Sequence, residues 1–173
     1  MVKVEARITS SSNGLSNLSL KLLRNYAPAL PAAVLGVIAL ERRLPFDLSE
    51  DQLLKVEDEL GSPLPHDYRE AMKLANGGEA STKEDDWEFY PIKDTSDRKR
   101  LSRTSNHIIY ETESCKGFGN FPNGAIAIAG NGLGDQMVFI KESGKFQNAV
   151  FLWLHETGEL KELAASFKEI EKL

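Results

Sequence analysis

From Leu48 to Gly78 (LSEDQLLKVEDELGSPLPHDYREAMKLANGG) the apolar positions fall into helical spacing twice, with a break between. Leu53, Val56 and Leu60 form the first stripe, the i, i+3, i+7 pattern of one helix face. Ser49 with Gln52 predicts a capping box at its start, and Leu48 with Leu53 a hydrophobic staple across it. Gly61 then supplies the left-handed residue that closes a helix. Pro63 and Pro65 forbid simple continuation, so a second helix starts afresh near Pro65, where a missing N–H costs little. Its stripe is Tyr68, Ala71, Met72 and Ala75, and Asn76-Gly77-Gly78 ends it. Two short helices about a proline turn predict one small packed nucleus.

Upstream, Val2 to Ile8 alternates strictly between apolar and charged positions, which predicts a half-buried strand at a sheet edge. Thr9 to Asn17 reads as a loop, and Leu18 to Tyr26 mixes two periods without favouring either. Ala32 to Leu44 predicts a helix that is apolar most of the way round, hence buried on several sides. Residues 1–45 are therefore expected to be an extension packed on a main domain of residues 46–173.

Downstream, Trp87 to Ile92 predicts a short strand that Pro91 stops or bends, at an edge or terminal position. Asp94 to Asn106 is polar, a loop or exposed helical turn, and His107 to Glu113 alternates as a strand would. Ala125–Ala129 and Gln136–Lys141, joined by a Gly/Asn turn, read as an antiparallel hairpin. Ala149–Leu154 is a third apolar strand, and Leu160, Leu163, Phe167 and Ile170 space out as a closing amphipathic helix. The expected class is α+β, an antiparallel sheet of about 4–6 strands with helices at its N- and C-terminal ends.

Composition changes this picture little. The 173 residues are 41% hydrophobic and 27% charged, enough for one domain with a real core. No run approaches a bilayer span, and Ala27 to Leu40, the longest apolar stretch, carries two prolines and is unlike a signal peptide. The single Cys115 excludes an internal disulfide and points to a reducing, cytoplasmic setting. Charge matters more. The net −5 divides into +4 over residues 1–45 and −9 over the rest. An acidic body argues against nucleic acid as partner and suits a basic protein.

The motifs carry little catalysis. Gly130-Asn131-Gly132-Leu133-Gly134-Asp135 lacks the third-glycine spacing of a dinucleotide site and the lysine of a P-loop. It reads as a hairpin turn whose Asp135 caps the turn or bonds a nearby backbone amide. His66, His107 and His155 are scattered and Cys115 has no close ligating neighbour, so no metal or other cofactor is expected. No nucleophile elbow is present, and Cys115 reads as an ordinary thiol. The strongest candidate is acidic. Glu79, Glu84, Asp85, Asp86, Glu88 and Asp94 stand against Lys83 and Lys93, with Trp87, Phe89 and Tyr90 among them. Aromatic anchors ringed by carboxylates suit a basic partner, and Glu84, Asp85, Asp86, Trp87, Glu88 and Asp94 are the expected contact residues. The competing reading makes Trp87 and Phe89 core residues and the acids a solvated loop.

The chain also resembles the SUKH superfamily (SMI1/KNR4-like). Glu57, Leu60, Gly61, Leu64, Pro65, Asp67 and Tyr68 match its E-x-x-L/I-G-x-x-L-P-x-D-Y helix, and Asn76, Gly77 and Gly78 its N-G-G. Phe89-Tyr90-Pro91-Ile92, the Ile126–Gln136 segment with Gly134-Asp135, and Leu163–Phe167 follow in the family's order. The resemblance implies the fold above. For a bacterial member it implies an immunity protein that binds and neutralises a cognate toxin domain, often a nuclease, without catalysis of its own. The partner would be that toxin, with no nucleic acid and no membrane, and the chain a monomer or weak homodimer. A regulatory interaction module of the SMI1/KNR4 type and a small-ligand binder are the alternatives.

Overall fold

The structure, a computed structural model, describes residues 45–82 and 85–172. The readings for Val2–Ile8, Leu18–Tyr26 and Ala32–Leu44, and with them the packed extension, lie outside the described residues. Helix α1 (Glu50–Leu60) starts at Ser49, whose carbonyl accepts from the Gln52 and Leu53 amides. The capping box does not form. The Gln52 side chain instead accepts from Thr95 N at 2.9 Å and Thr95 Oγ1 at 2.8 Å, tying α1 to a loop 43 residues away. Gly61 closes α1 at φ 65°, with Ser62 N donating to Glu57 O at 3.2 Å. Helix α2 (His66–Leu74) follows directly on Pro65.

Glu57 and Asn76 explain why this stretch needs its particular residues. Glu57 is buried, and its carboxylate accepts from Leu64 N at 2.6 Å and from the Arg69 guanidinium. One side chain thus fixes the Gly61–Pro65 connection and the start of α2 together. Asn76, also buried, donates to Ile92 O and accepts from Ile92 N, both at 2.7 Å. Its amide substitutes for a strand neighbour where Pro91 has ended the ladder. Gly77 and Gly78 turn the chain at φ 97° and 109°.

Strands β1 (Gly78–Ser81), β2 (Asp86–Phe89), β3 (Ala125–Gly130), β4 (Gln136–Glu142), β6 (Val150–Trp153) and β7 (Leu160–Ala164) form an antiparallel sheet in the order β1-β2-β3-β4-β6-β7. The short β5 (Lys145–Phe146) pairs with β4. Strand alternation gives the sheet two apolar faces. Leu53, Val56, Tyr68 and Met72 of α1 and α2 share one core with Trp87, Phe89, Ile126, Ile128, Met137 and Phe139. Tyr68 meets Phe139 and Phe167 edge-on at 5.3 and 5.0 Å. Ala125, Ala127, Val138 and Trp153 face the other way, against Cys115.

Two sequence readings are corrected. His107–Glu113 is not a strand: His107 caps helix α4 (Ile108–Lys116), after the short α3 (Arg98–Arg103). The alternating residues place Ile108, Thr112 and Cys115 on a buried helix face, and Thr112 Oγ1 accepts from Ala127 N at 2.9 Å. The closing helix is also absent. Gly158 (φ 72°) returns the chain beside β6, so Leu160 to Ala164 pair there as β7, and only a 3-10 turn, Phe167–Glu169, follows. An open sheet edge outweighed a helical period only four apolar residues long. The α+β class stands, with six strands on the main path and β5 beside them.

The Tyr68 hydroxyl is buried without a hydrogen-bond partner among the described residues, and burial pushes the phenol pKa up. Leaving a buried hydroxyl unpaired costs about 1–3 kcal/mol. Tyr68→Phe is therefore expected to leave the thermal midpoint unchanged or raise it. A fall of several degrees in a melting curve would show that the hydroxyl makes a bond the fold depends on.

Candidate functional site

Over β3 and β4 the second sheet face is covered, but over β1 and β2 none of the described residues covers it. Alternation sends Ala80, Trp87 and Phe89 inward, and Glu79, Asp86 and Glu88 outward. Register sets Glu79 directly opposite Glu88, and Ser81 opposite Asp86, whose carboxylate accepts from the Ser81 hydroxyl. These carboxylates border a cavity of about 550 Å³ that also includes Tyr90, Gly130, Asn131 and Gly132. Like charges directly opposed in a sheet destabilise it. None of the three has an ion-pair partner among the described residues.

Burial, then the charge of Glu88, pushes the Glu111 carboxyl up from its ordinary range. Burial, with the charge of Glu111 next, raises the Tyr90 phenol to about 12. Tyr90 Oη donates to Gln136 Oε1 at 2.9 Å and lies over Gly130, where an added Cβ would collide with it. Glycine at 130 is thus what lets the aromatic ring lie against the cavity floor.

The expected contact residues separate into groups. Asp86 and Glu88 are exposed at the cavity. Trp87 is 4% exposed and belongs to the core, its Nε1 donating to Thr82 Oγ1 at 3.4 Å. Asp85 accepts from Asn131 Nδ2 at 2.6 Å. Glu84 lies outside the described residues. Asp94 is buried and occupied: it accepts from Ser96 N and Oγ and from the Arg100 guanidinium at 3.0 Å. Burial works against its ionisation, but the Ser96 bonds and Arg100 hold the carboxyl below its usual range. Glu79 joins the site only through register, which sequence spacing does not reveal.

The β3–β4 turn borders this cavity and a second one. Asn131 Oδ1 accepts from Leu133 N at 3.0 Å and Asp135 N at 2.9 Å. Asp135 Oδ1 accepts from His155 N at 3.0 Å and lies 3.2 Å from His155 Nδ1, as the reading of a turn-bonding aspartate expected. Gly134, at φ 100°, leaves room for the His155 ring, which a Cβ there would meet at 3.2 Å. On this side Leu133, Leu154, His155 and Glu156 line about 230 Å³.

Cys115 is buried, and burial, then Glu111, raises its thiol to about 11, far from a reactive thiolate. Among the described residues no three His, Cys, Asp or Glu converge as a metal ion would need. Nor, among them, is any helix long and apolar enough to cross a membrane. Leu64 and Tyr68 are buried, Pro65 precedes α2, Asn76 bonds Ile92, Gly77, Gly78 and Gly134 take positive φ, and Asp135 bonds His155 N. Pro91, beyond the end of β2, accepts from Ile108 N at 3.0 Å.

Compared with known families, the chain matches the SMI1 / KNR4 family (SUKH-1) over residues 47–171. No curated protein and no solved structure matches it.

Proposed function

The chain belongs to the SMI1/KNR4 family (SUKH-1), and on that premise we propose that it is an immunity protein. It binds a cognate toxin domain, a nuclease or other enzyme acting on nucleic acid, and inhibits it one to one. The observation that carries this reading is the acidic cavity: among the described residues Glu79, Asp86 and Glu88 have no ion-pair partner, and all three are exposed on one sheet face. An enzyme that grips phosphates has a cationic cleft, and a carboxylate-lined face competes for it. Inhibition by occupancy needs no catalytic group. Charge of this kind speeds encounter and fades with salt.

Isolating the tagged chain from its host with the protein that stays bound, then co-expressing the chain with that protein as the candidate toxin, tests the reading. The chain should restore growth, and purified toxin should bind it one to one, more weakly as salt rises. Glu79→Lys with Glu88→Lys should weaken binding about a hundredfold and lose protection, since like charge replaces opposite charge at two adjacent contacts. These two positions are chosen because Asp85 also holds the β3–β4 turn. A chain that neither binds nor protects would overturn the reading.

A further inference from the structure

The β3–β4 turn carries a feature that its glycines conceal. Leu133 at its tip is 72% exposed, one of the most exposed large apolar side chains among the described residues. Phe118, 60% exposed, stands nearby, its ring 6.1 Å from the His155 ring that borders the Leu133 cavity. Neither is loosely held. The turn is braced from within by Asn131, from one side by Asp85 and from the other by the Asp135–His155 contact. Phe118 leans on Trp153 at 6.3 Å between ring centres. Apolar side chains on a prearranged backbone lose little entropy when a partner covers them.

We propose that this turn anchors the partner interface: Leu133, with Phe118 beside it, enters an apolar pocket on a basic protein domain, while carboxylates on both sides of the turn pair with cations around that pocket. The inference rests on the immunity reading and assigns its surface.

Charge decides the occupant. Glu79, Asp86 and Glu88 lie on one side of the turn and Glu156 on the other, and among the described residues neither cavity lining contains a lysine or arginine. A second copy of the chain docking patch to patch would set these rims against each other. A basic domain neutralises both. The arrangement is an apolar centre within a charged rim, the usual anatomy of a tight interface.

The test titrates the candidate toxin isolated with the tagged chain from its host against the full chain by calorimetry and stopped flow. Leu133→Asp should weaken binding by about a hundredfold and Leu133→Ala by about thirtyfold, chiefly through faster dissociation. Folding should be untouched, because the side chain is mostly in water. Leu54→Asp is the control: Leu54 is 51% exposed on α1, which packs on the opposite sheet face, and the change should leave affinity unaltered. If wild type binds and Leu133→Asp binds within about threefold of it, the anchor is elsewhere and this proposal fails while the immunity reading stands. A Leu54→Asp loss as large as that of Leu133→Asp also overturns it. If wild type itself neither binds nor protects, the immunity reading has failed, and its assigned surface with it.

Discussion

Asn76→Ala is expected to lower stability by roughly 2–5 kcal/mol, because it strands both polar groups of Ile92 in the core. The Asn76 side chain donates to Ile92 O and accepts from Ile92 N, each at 2.7 Å, and both residues are buried. The two backbone groups have no ladder of their own there, since β2 ends at Phe89 and Pro91 intervenes. Alanine leaves each without its side-chain partner. The loss corresponds to a thermal midpoint lower by roughly 10 °C for a chain of this size. Asn76→Asp keeps an acceptor for Ile92 N but loses the donor and buries a charge, so it should not recover the loss. Denaturant unfolding would measure both. A cost below about 1 kcal/mol for Asn76→Ala would mean that the 76–92 clamp contributes little.

The clamp also shows what the sequence could reveal. Turn and helix-stop signals depend on backbone conformation, so Gly61, Pro65 and the Asn76-Gly77-Gly78 terminus are legible one residue at a time, as is the β3–β4 hairpin. Side-chain partners are not. Gln52 reads as half of a capping box but serves Thr95, and the partner of Asn76 is 16 residues away. Short periodic segments fail for another reason. Leu160 to Ile170 fits a helix, yet the open edge beside β6 takes its first half as a strand.

The candidate surface was legible in sign and not in shape. Counting carboxylates from Glu79 to Asp94 finds an acidic segment, but only the fold removes Asp94 to an internal Arg100 pair and Trp87 to the core. Opposing Glu79 to Glu88 requires the β1–β2 register. Leu133 carries no local signal at all, since a leucine among glycines says nothing about its 72% exposure.

Arg69→Met should be as damaging as the loss of Asn76, for an electrostatic reason. Arg69 pairs with Glu57, whose side chain is 7% exposed, and with Glu50 on the surface. Methionine keeps the aliphatic length but leaves a carboxylate in the core with Leu64 N as its one donor among the described residues. Removing one member of a buried pair costs about 3–5 kcal/mol, far more than the pair contributes, because the surviving charge is uncompensated. Since Arg69 is itself 17% exposed and water reaches it, the expected loss is about 3 kcal/mol. Adding Glu57→Gln removes the orphaned charge and should recover part of it, so the double variant should be more stable than Arg69→Met alone. A double-mutant cycle in urea measures this coupling. If the two losses simply add, the cost of Arg69→Met lies in packing and the Glu50 contact, and Glu57 is held by the Leu64 amide without help.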